Sequence, residues 1–212
     1  MTAEDIKAFG ASLAEIFDRE RHHLGQLDAA LGDGDHGAGM ARGFSRAAQA
    51  MEAVESGDVG SVFQAGGQSF MAGAGGASGP LFATVLLELG KASRGVEQLG
   101  LAELEAGVRA AAATIGRLGK TEAGDKTMLD ALLPAAEVLG CAERSGERLA
   151  VALQAAAEAA RSGAEATTSM PAKKGRARYV EAAGVGHPDP GATSMALFFE
   201  ALYDVYKEVE GS

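Results

Sequence analysis

The sequence predicts an all-α chain of eight helices. Two observations carry this. Apolar residues recur at helical spacing in one segment after another, and no segment alternates with period two over a useful length. The hydrophobic fraction is 47%, yet aromatics make up only 5% and Trp is absent. The core must then be built from Ala, Leu, Val, Met and a few Phe, which suits closely packed helices better than a sheet. No linker-like change of composition divides the 212 residues, so residues 1–212 are expected to form one domain.

Thr2 followed by Asp5 is an N-cap pattern. Ile6, Phe9, Leu13, Ile16, Phe17 and Leu24 then carry a first helix to about Leu24 or Gly25, and a short turn through Leu27–Leu31 leads into an acidic loop. A second helix is expected from about Gly37 to Ala53, broken by Glu55-Ser56-Gly57. Asp58 caps a third, with Val59, Val62, Phe63 and Phe70 inward, which ends in the Gly-rich run Gly73–Gly79. Pro80 suits the first turn of a fourth helix, lined by Leu81, Val85, Leu86 and Leu89. A fifth spans about Leu101 to Leu118. Met128, Leu129, Leu132, Leu133 and Leu139 mark a sixth, in which Pro134 predicts a kink. The Ala-rich seventh runs from Leu149 to about Ser169. After the irregular stretch Met170–Pro190, Leu197, Phe198, Ala201, Leu202 and Val205 mark the eighth. In an up-and-down bundle, alternate connections share an end. That topology brings together the acidic loop, the Gly-rich loop, Gly119–Lys126 and Met170–Pro190.

The formal net charge of −10 argues against non-specific nucleic-acid binding and against anionic membranes. One cysteine, Cys141, rules out an internal disulfide and a Cys-based zinc site, and fits a reducing compartment. As a small helix residue it is expected to be buried. The start Thr2-Ala3-Glu4-Asp5 is not a basic signal peptide, and no apolar run is long enough to span a bilayer. The chain is expected to be soluble and cytoplasmic.

Chemistry concentrates in Leu27–Met40, where Asp28, Asp33 and Asp35 lie within eight residues. Carboxylates held this close repel one another unless a cation sits among them, and hard oxygen ligands suit Mg²⁺ or Ca²⁺. Taken singly, any one of these aspartates reads as a helix cap. Together, with His36 and the flanking Gly34 and Gly37, they read as a metal loop. An EF-hand fails on register, because position twelve counted from Asp33 is Phe44 instead of Glu. The helix that follows can turn its first N–H groups toward a phosphate. Gly75–Pro80 is a second candidate phosphate loop, though a tight helix–helix turn explains it equally well. Lys173, Lys174, Arg176 and Arg178 form the densest basic run, and Arg176, between small neighbours, is the cation expected to reach inward. Asp125 and Lys126 read as a helix-capping pair. His187 shapes its loop before Pro188. His36 serves as a general base or, preferably, as a donor to a phosphate oxygen. No Ser–His–acid or Cys–His set is evident.

These motifs resemble the L-subunit family of dihydroxyacetone kinases. The likeness rests on Leu27–Gly39, Gly75–Pro80, Gly119–Met128 and Lys174–Ser194, in order and through nearly the whole chain. It implies a closed barrel of eight antiparallel helices with a nucleotide site at one rim. It also implies ADP or ATP held on two Mg²⁺ ions. By position, the metal ligands fall on Asp28, Asp33 and Asp35. The nucleotide contacts fall on His36, Gly37, Ala38, Gly39, Ala77, Ser78, Gly119, Met128, Arg176, Asp189, Pro190 and Gly191. Met128 would pack on adenine. Ser78, His36 and Arg176 would serve the phosphates, with Arg176 and His36 as the catalytic pair. Gly39 stands where many relatives carry Asn, and Gly34 where some carry Ala. The resemblance further implies a separate K subunit that holds dihydroxyacetone. ADP would stay bound and be recharged by a phosphoenolpyruvate-dependent M subunit, or ATP would exchange freely. A homodimer is compatible with it. A nucleotide-sensing regulatory module and the nucleotide domain of fatty acid kinases are the other readings. The latter lack the Gly186–Gly191 pattern seen here.

Overall fold

A computed structural model describes residues 1–55, 57–75 and 78–211. Thr2 opens the chain with a capping box: its hydroxyl accepts from the Asp5 amide, and the Asp5 carboxylate accepts from the Thr2 amide. Helix α1 (Ala3–Arg19) follows and buries Ile6, Phe9, Leu13 and Phe17 along one stripe. It does not run on to Leu24. The chain breaks at Glu20 (φ −83°, ψ 0°), and a separate helix α2 covers Arg21–Leu31. The turn expected over Leu27–Leu31 is therefore helical, and Asp28 projects from the last turn of α2. Phe17, Leu24 and Leu31 are all buried and spaced evenly, so the apolar period passes straight through the break and does not betray it.

The remaining helices are α3 (His36–Glu52), α4 (Val59–Ala74), α5 (Ser78–Ala92), α6 (Leu101–Gly119), α7 (Leu129–Ser145), α8 (Leu149–Ala166) and α9 (Pro190–Glu210). Short 3-10 turns at Thr167–Ser169, Ala177–Tyr179 and Glu181–Gly184 punctuate the segment between α8 and α9. The fold is all-α. Among the described residues there are nine α-helices and no β-strand, and the ninth helix comes from the break at Glu20. Helix α1 packs on α3, each later helix packs on its successor, and α9 returns to α1, while α2 lies chiefly against α3 and α9. No helix among the described residues is long and apolar enough to cross a membrane.

Phenylalanines tie this circuit together. Phe17 stacks on Phe44 at 4.4 Å, Phe44 meets Phe82 edge-on at 5.6 Å, and Phe82 reaches Phe198 at 6.1 Å. Phe198 closes onto Phe9 at 5.1 Å, so α1, α3, α5 and α9 share one aromatic centre. Burying each ring stabilises the fold by about 1.5–3 kcal/mol. Helix α8 instead buries Ala152, Ala156, Ala157, Ala160 and Ala164, and these small side chains let its neighbours approach closely. A Cβ added at Gly163 would lie 2.1 Å from the Asp130 carbonyl of α7. Pro134 lacks the N–H that this carbonyl would otherwise accept, so the freed oxygen faces α8. Cys141 is exposed, contrary to expectation. Helix α7 buries Leu129, Leu132, Ala135 and Leu139. Cys141, two residues on from Leu139, is turned about 200° around the axis.

The connections separate into two ends. At one, the Met1 ammonium donates to the Leu99 carbonyl (3.0 Å), the Leu99 amide returns to Met1 (2.7 Å), and the Val59 amide donates to Val96 (2.9 Å). At the other, the loop between α6 and α7 grips the segment between α8 and α9. The Asp125–Lys126 pair does not cap α7. Asp130, in the first turn of α7, instead draws in the preceding loop, accepting from the Thr127 amide at 2.7 Å and the Gly124 amide at 2.5 Å. Asp125 is buried and pairs with Lys173 (3.3 Å) and Lys174 (3.8 Å). Desolvation pushes its carboxyl up, but the Glu122 amide and the two ammoniums outweigh that and hold it below the ordinary carboxylate range. Lys126 donates to the carbonyls of Thr167 (2.7 Å), Gly184 (2.9 Å) and His187 (2.5 Å). Asp189 caps α9, accepting from the Ala192 amide at 2.7 Å, while its own amide donates to the Thr167 hydroxyl at 2.8 Å.

Asp189 is half-buried, and burial of its carboxyl pushes it up to about 7. The Ala192 amide opposes this shift, nearby Asp130 adds to it, and the Lys126 ammonium opposes it.

Two outcomes follow from this packing. Gly163→Ala forces a methyl into a backbone carbonyl that cannot swing aside, and is expected to cost about 3 kcal/mol. A thermal melt should then show the midpoint lowered by roughly 6–12 °C. The Asp189 carboxyl binds its proton more tightly folded (about 7) than unfolded (3.8). Its contribution to stability is therefore complete below the unfolded value and lost as pH rises through the folded one. Asp189→Asn keeps the cap but cannot titrate. Relative to the parent it should gain about 1–4 kcal/mol across that window, because each tenfold change in proton affinity is worth about 1.4 kcal/mol. Urea unfolding at stepped pH reads this, and a pH-independent difference would count against the raised carboxyl.

Candidate functional site

Asp28 stands on the last turn of α2, and Asp33 and Asp35 stand on the loop that follows. Each offers one oxygen, and these atoms all lie within 4.8 Å of one another. Asp28 is half-buried, while Asp33 and Asp35 are exposed. Gly34 makes the turn between the two exposed acids with φ +77°, a conformation that favours glycine. The loop is then pinned by the Asp28 carboxylate, which accepts from the His36 amide at 3.1 Å. That bond is possible because α3 begins hard against α2. A Cβ at Gly37 would lie 2.0 Å from the Arg21 carbonyl. Asp35 is the residue before α3, but its side chain makes no capping bond. The Gly37 and Ala38 amides of the first turn therefore remain available to an anion. Helix α9 differs, because Asp189 turns back onto its own first turn.

Arg176 reaches the triad, and its guanidinium contacts the Asp33 carboxylate. The hydrogen bond from Arg176 holds the Asp33 carboxyl below its ordinary value, and the same contact raises the arginine, with Asp35 and Asp28 adding to it. A cation is thus already drawn to the place where three acids converge. Three carboxylates with at least one oxygen each turned to a common point fit a hard divalent ion such as Mg²⁺.

His36 is buried, and its Nε2 lies 2.8 Å from the Ser194 hydroxyl. Burial lowers its pKa, with Asp28, Asp35 and a bond to the Pro190 backbone acting the other way. The ring therefore links the starts of α3 and α9, a geometry that departs from the expected donor to a phosphate. Met128 is buried beside the start of α9, and a Cβ on Gly191 would lie 3.5 Å from its own Cβ. Met128, Asp189, Pro190 and Gly191 are thus brought together next to His36. Gly39 packs on the end of α4, where a Cβ would lie 2.8 Å from the Ala74 carbonyl, so this backbone spacing leaves no room for a side chain. Ala77 and the side chain of Ser78 lie outside the described residues. Gly119 ends α6 beside Thr121, and no contact in the described residues joins it to the triad.

Three residues of this end went unread in the sequence. Ser194, the partner of His36, shares a face of α9 with Pro190 at one-turn spacing, which is a signal only once His36 is known to point there. Asp130 and Thr167 carried no signal beyond being polar within apolar helical stretches.

The chain matches the DAK2 domain family model over residues 30–204. It is 39% identical over 194 residues to the ADP-binding subunit DhaL of the PEP-dependent dihydroxyacetone kinase of Escherichia coli, covering 92% of both chains. It is 41% identical over 200 residues to D-erythrulose kinase of Mycolicibacterium smegmatis, covering 93% of this chain and 34% of that one. Among solved structures, the native dihydroxyacetone kinase of C. freundii superposes with a TM-score of 0.70 at 27% identity, over 95% of this chain and 34% of that chain. The same kinase in complex with AMP-PNP and Mg²⁺ gives a TM-score of 0.67 at 28% identity, again over about a third of its length. With its helical fold, its carboxylate triad and a family match through most of its length, the chain belongs to the DAK2 domain family.

Proposed function

We propose that the chain is the nucleotide-binding phosphotransferase subunit of a dihydroxyacetone kinase. In this reading it passes the γ-phosphoryl group of Mg-bound ATP to dihydroxyacetone held on a separate K subunit. The ADP left behind stays bound and is recharged by a phosphoenolpyruvate-dependent M subunit. The observation that carries the reading is the junction of Asp28, Asp33, Asp35 and Arg176 at the open first turn of α3. The name of the E. coli relative and the AMP-PNP–Mg²⁺ complex of the C. freundii kinase support it.

The residues divide the work. Asp28, Asp33 and Asp35 hold Mg²⁺, two ions on the family pattern, which neutralises charge on the terminal phosphates. The Gly37 and Ala38 amides face the phosphate oxygens, and Gly39 lets α3 sit close enough to α4 to shape that wall. Arg176 exchanges its contact with Asp33 for the γ-phosphoryl oxygens and offsets the charge that grows as the bond to the β-phosphate oxygen breaks. A ketose hydroxyl oxygen forms the new bond to phosphorus, and its proton leaves on the K-subunit side. Met128 packs on adenine, with Asp189, Pro190 and Gly191 along the same wall. Gly119 borders the base, and the same reading assigns nucleotide contacts to Ala77 and Ser78. His36 contributes by holding α3 to α9.

A second reading, a kinase with freely exchanging ATP, is favoured by the 41% identity to D-erythrulose kinase. Native mass spectrometry of the freshly purified chain separates the two. A mass increment of one ADP and two Mg²⁺ supports the retained coenzyme. A bare chain that binds added Mg-ATP supports exchange. Binding of neither would leave only the regulatory module. Asp33→Asn is expected to abolish Mg²⁺-dependent ADP binding while leaving the helical circular-dichroism spectrum intact. Unchanged ADP affinity in that variant would falsify the metal assignment.

A further inference from the structure

The segment between α8 and α9 is an arm, and what fixes the arm lies outside it. Arg176 sits between residues 172 and 183, where the Ala172 amide donates to the Ala183 carbonyl at 2.8 Å and closes the base of the arm. Both sides of that base are held by two consecutive residues. On one side, the Asp125 carbonyl accepts from the Lys173 amide at 3.1 Å, and its buried carboxylate pairs with Lys173 and Lys174. On the other, Lys126 reaches the Gly184 carbonyl. Lys126 is among the largest fully buried side chains of the protein. Its ammonium has three donors, and the three carbonyls of Thr167, Gly184 and His187 take them. No donor is left for a substrate, so this is not a catalytic lysine.

The backbone supports the same conclusion. Lys126 has φ 62°, a strained conformation for a residue with a side chain. It faces the opposite way from Asp125, so the pair grips the arm from both sides. A Cβ on Gly184 would lie 2.4 Å from a Leu31 methyl, so the gripped end of the arm lies directly on the end of α2, a few residues from Asp33.

We propose that Asp125 and Lys126 are a positioning pair: together they fix the arm so that Arg176 meets the carboxylate triad. Neither touches the triad, and both act through Arg176. The inference rests on the nucleotide reading above for its effect on binding, but not for its effect on the arm.

The test uses Lys126→Met, which keeps the length of the side chain and removes its donors, in the full chain. Hydrogen exchange is expected to speed up by about tenfold or more at amides of residues 172–186, with exchange in the cores of α1, α5 and α9 unchanged. Mg-ADP affinity is expected to fall by roughly 10–100-fold, the range for residues that orient a ligand shell. In an Arg176→Ala background the same substitution should cost less than about threefold, because its effect runs through the side chain already removed. If Lys126→Met does not fold, Asp125→Asn takes its place under the same criteria, since it removes the ion pairs and keeps the backbone bond. Unchanged exchange in the arm, or equal losses of affinity in both backgrounds, overturns the proposal. A parent chain that binds no Mg-ADP sinks the nucleotide reading, and the exchange result then decides the positioning pair alone.

Discussion

The close approach of α2 to the first turn of α3 is the constraint on which the site depends. At Gly37 the two backbones are so near that even a methyl group would collide with the Arg21 carbonyl. This contact lets Asp28, on α2, accept from the His36 amide, on α3. The loop between them is thereby closed into a tight turn, and Asp33 and Asp35 cannot spread apart to relieve their repulsion. The same contact leaves Asp35 at the head of α3 without a capping bond, so the first amides stay open. The clustered carboxylates and the uncapped start of α3 thus follow from one packing constraint, and the glycine at position 37 is what permits it.

That packing is held from the far side by α9. His36 reaches Ser194, Asp189 caps the same helix, and the Thr167 hydroxyl holds Asp189. Helix α9 also carries Phe198, which joins the aromatic centre through Phe9 and Phe82. The ligand end is therefore anchored to the rigid interior through α9 and α3. Arg176 is anchored differently, through an arm held by the loop between α6 and α7 and packed by Gly184 against Leu31. Rigid placement of the acids and a separately secured cation suit a site in which the cation must exchange partners.

Much of this was legible in the residues, and what was not has physical causes. The helices were readable because their apolar stripes are clean, as in Val59, Val62, Phe63 and Phe70. The triad was readable because charge density in a short glycine-flanked loop has few structural explanations. The break at Glu20 was invisible because Phe17, Leu24 and Leu31 keep helical phase across it. Cys141 misled because burial of a small residue depends on its helical angle, which residue type does not encode. The Asp125–Lys126 pair misled for a related reason. Two adjacent opposite charges at a helix start look like a cap, but a left-handed backbone at Lys126 sends the two side chains to different partners. Local sequence encodes that conformation weakly when the residue is not glycine. The ring of His36 is the same kind of case, since its partner Ser194 is 158 residues away.

The proposed function asks a chain of net charge −10 to hold a polyphosphate, and the cations of the arm are the local compensation available for it. A count of positive charges would credit Lys173, Lys174, Arg176 and Arg178 equally. The structure divides them. Lys173 and Lys174 are committed to Asp125, and Arg178 lies over the Tyr179 ring at 4.4 Å. Arg176 goes to the triad, with its side chain still 68% exposed. Small neighbours alone do not account for this placement. Gly175, at φ +65°, turns the chain so that Arg176 faces Asp33 while the flanking lysines face Asp125. Exposure matters here as much as placement. An arginine paired with an exposed aspartate is held by a contact that water screens, so it can leave that carboxylate at little cost when a more highly charged phosphate arrives. A buried Arg176–Asp33 pair would resist the exchange, because separating it would strand a charge away from water.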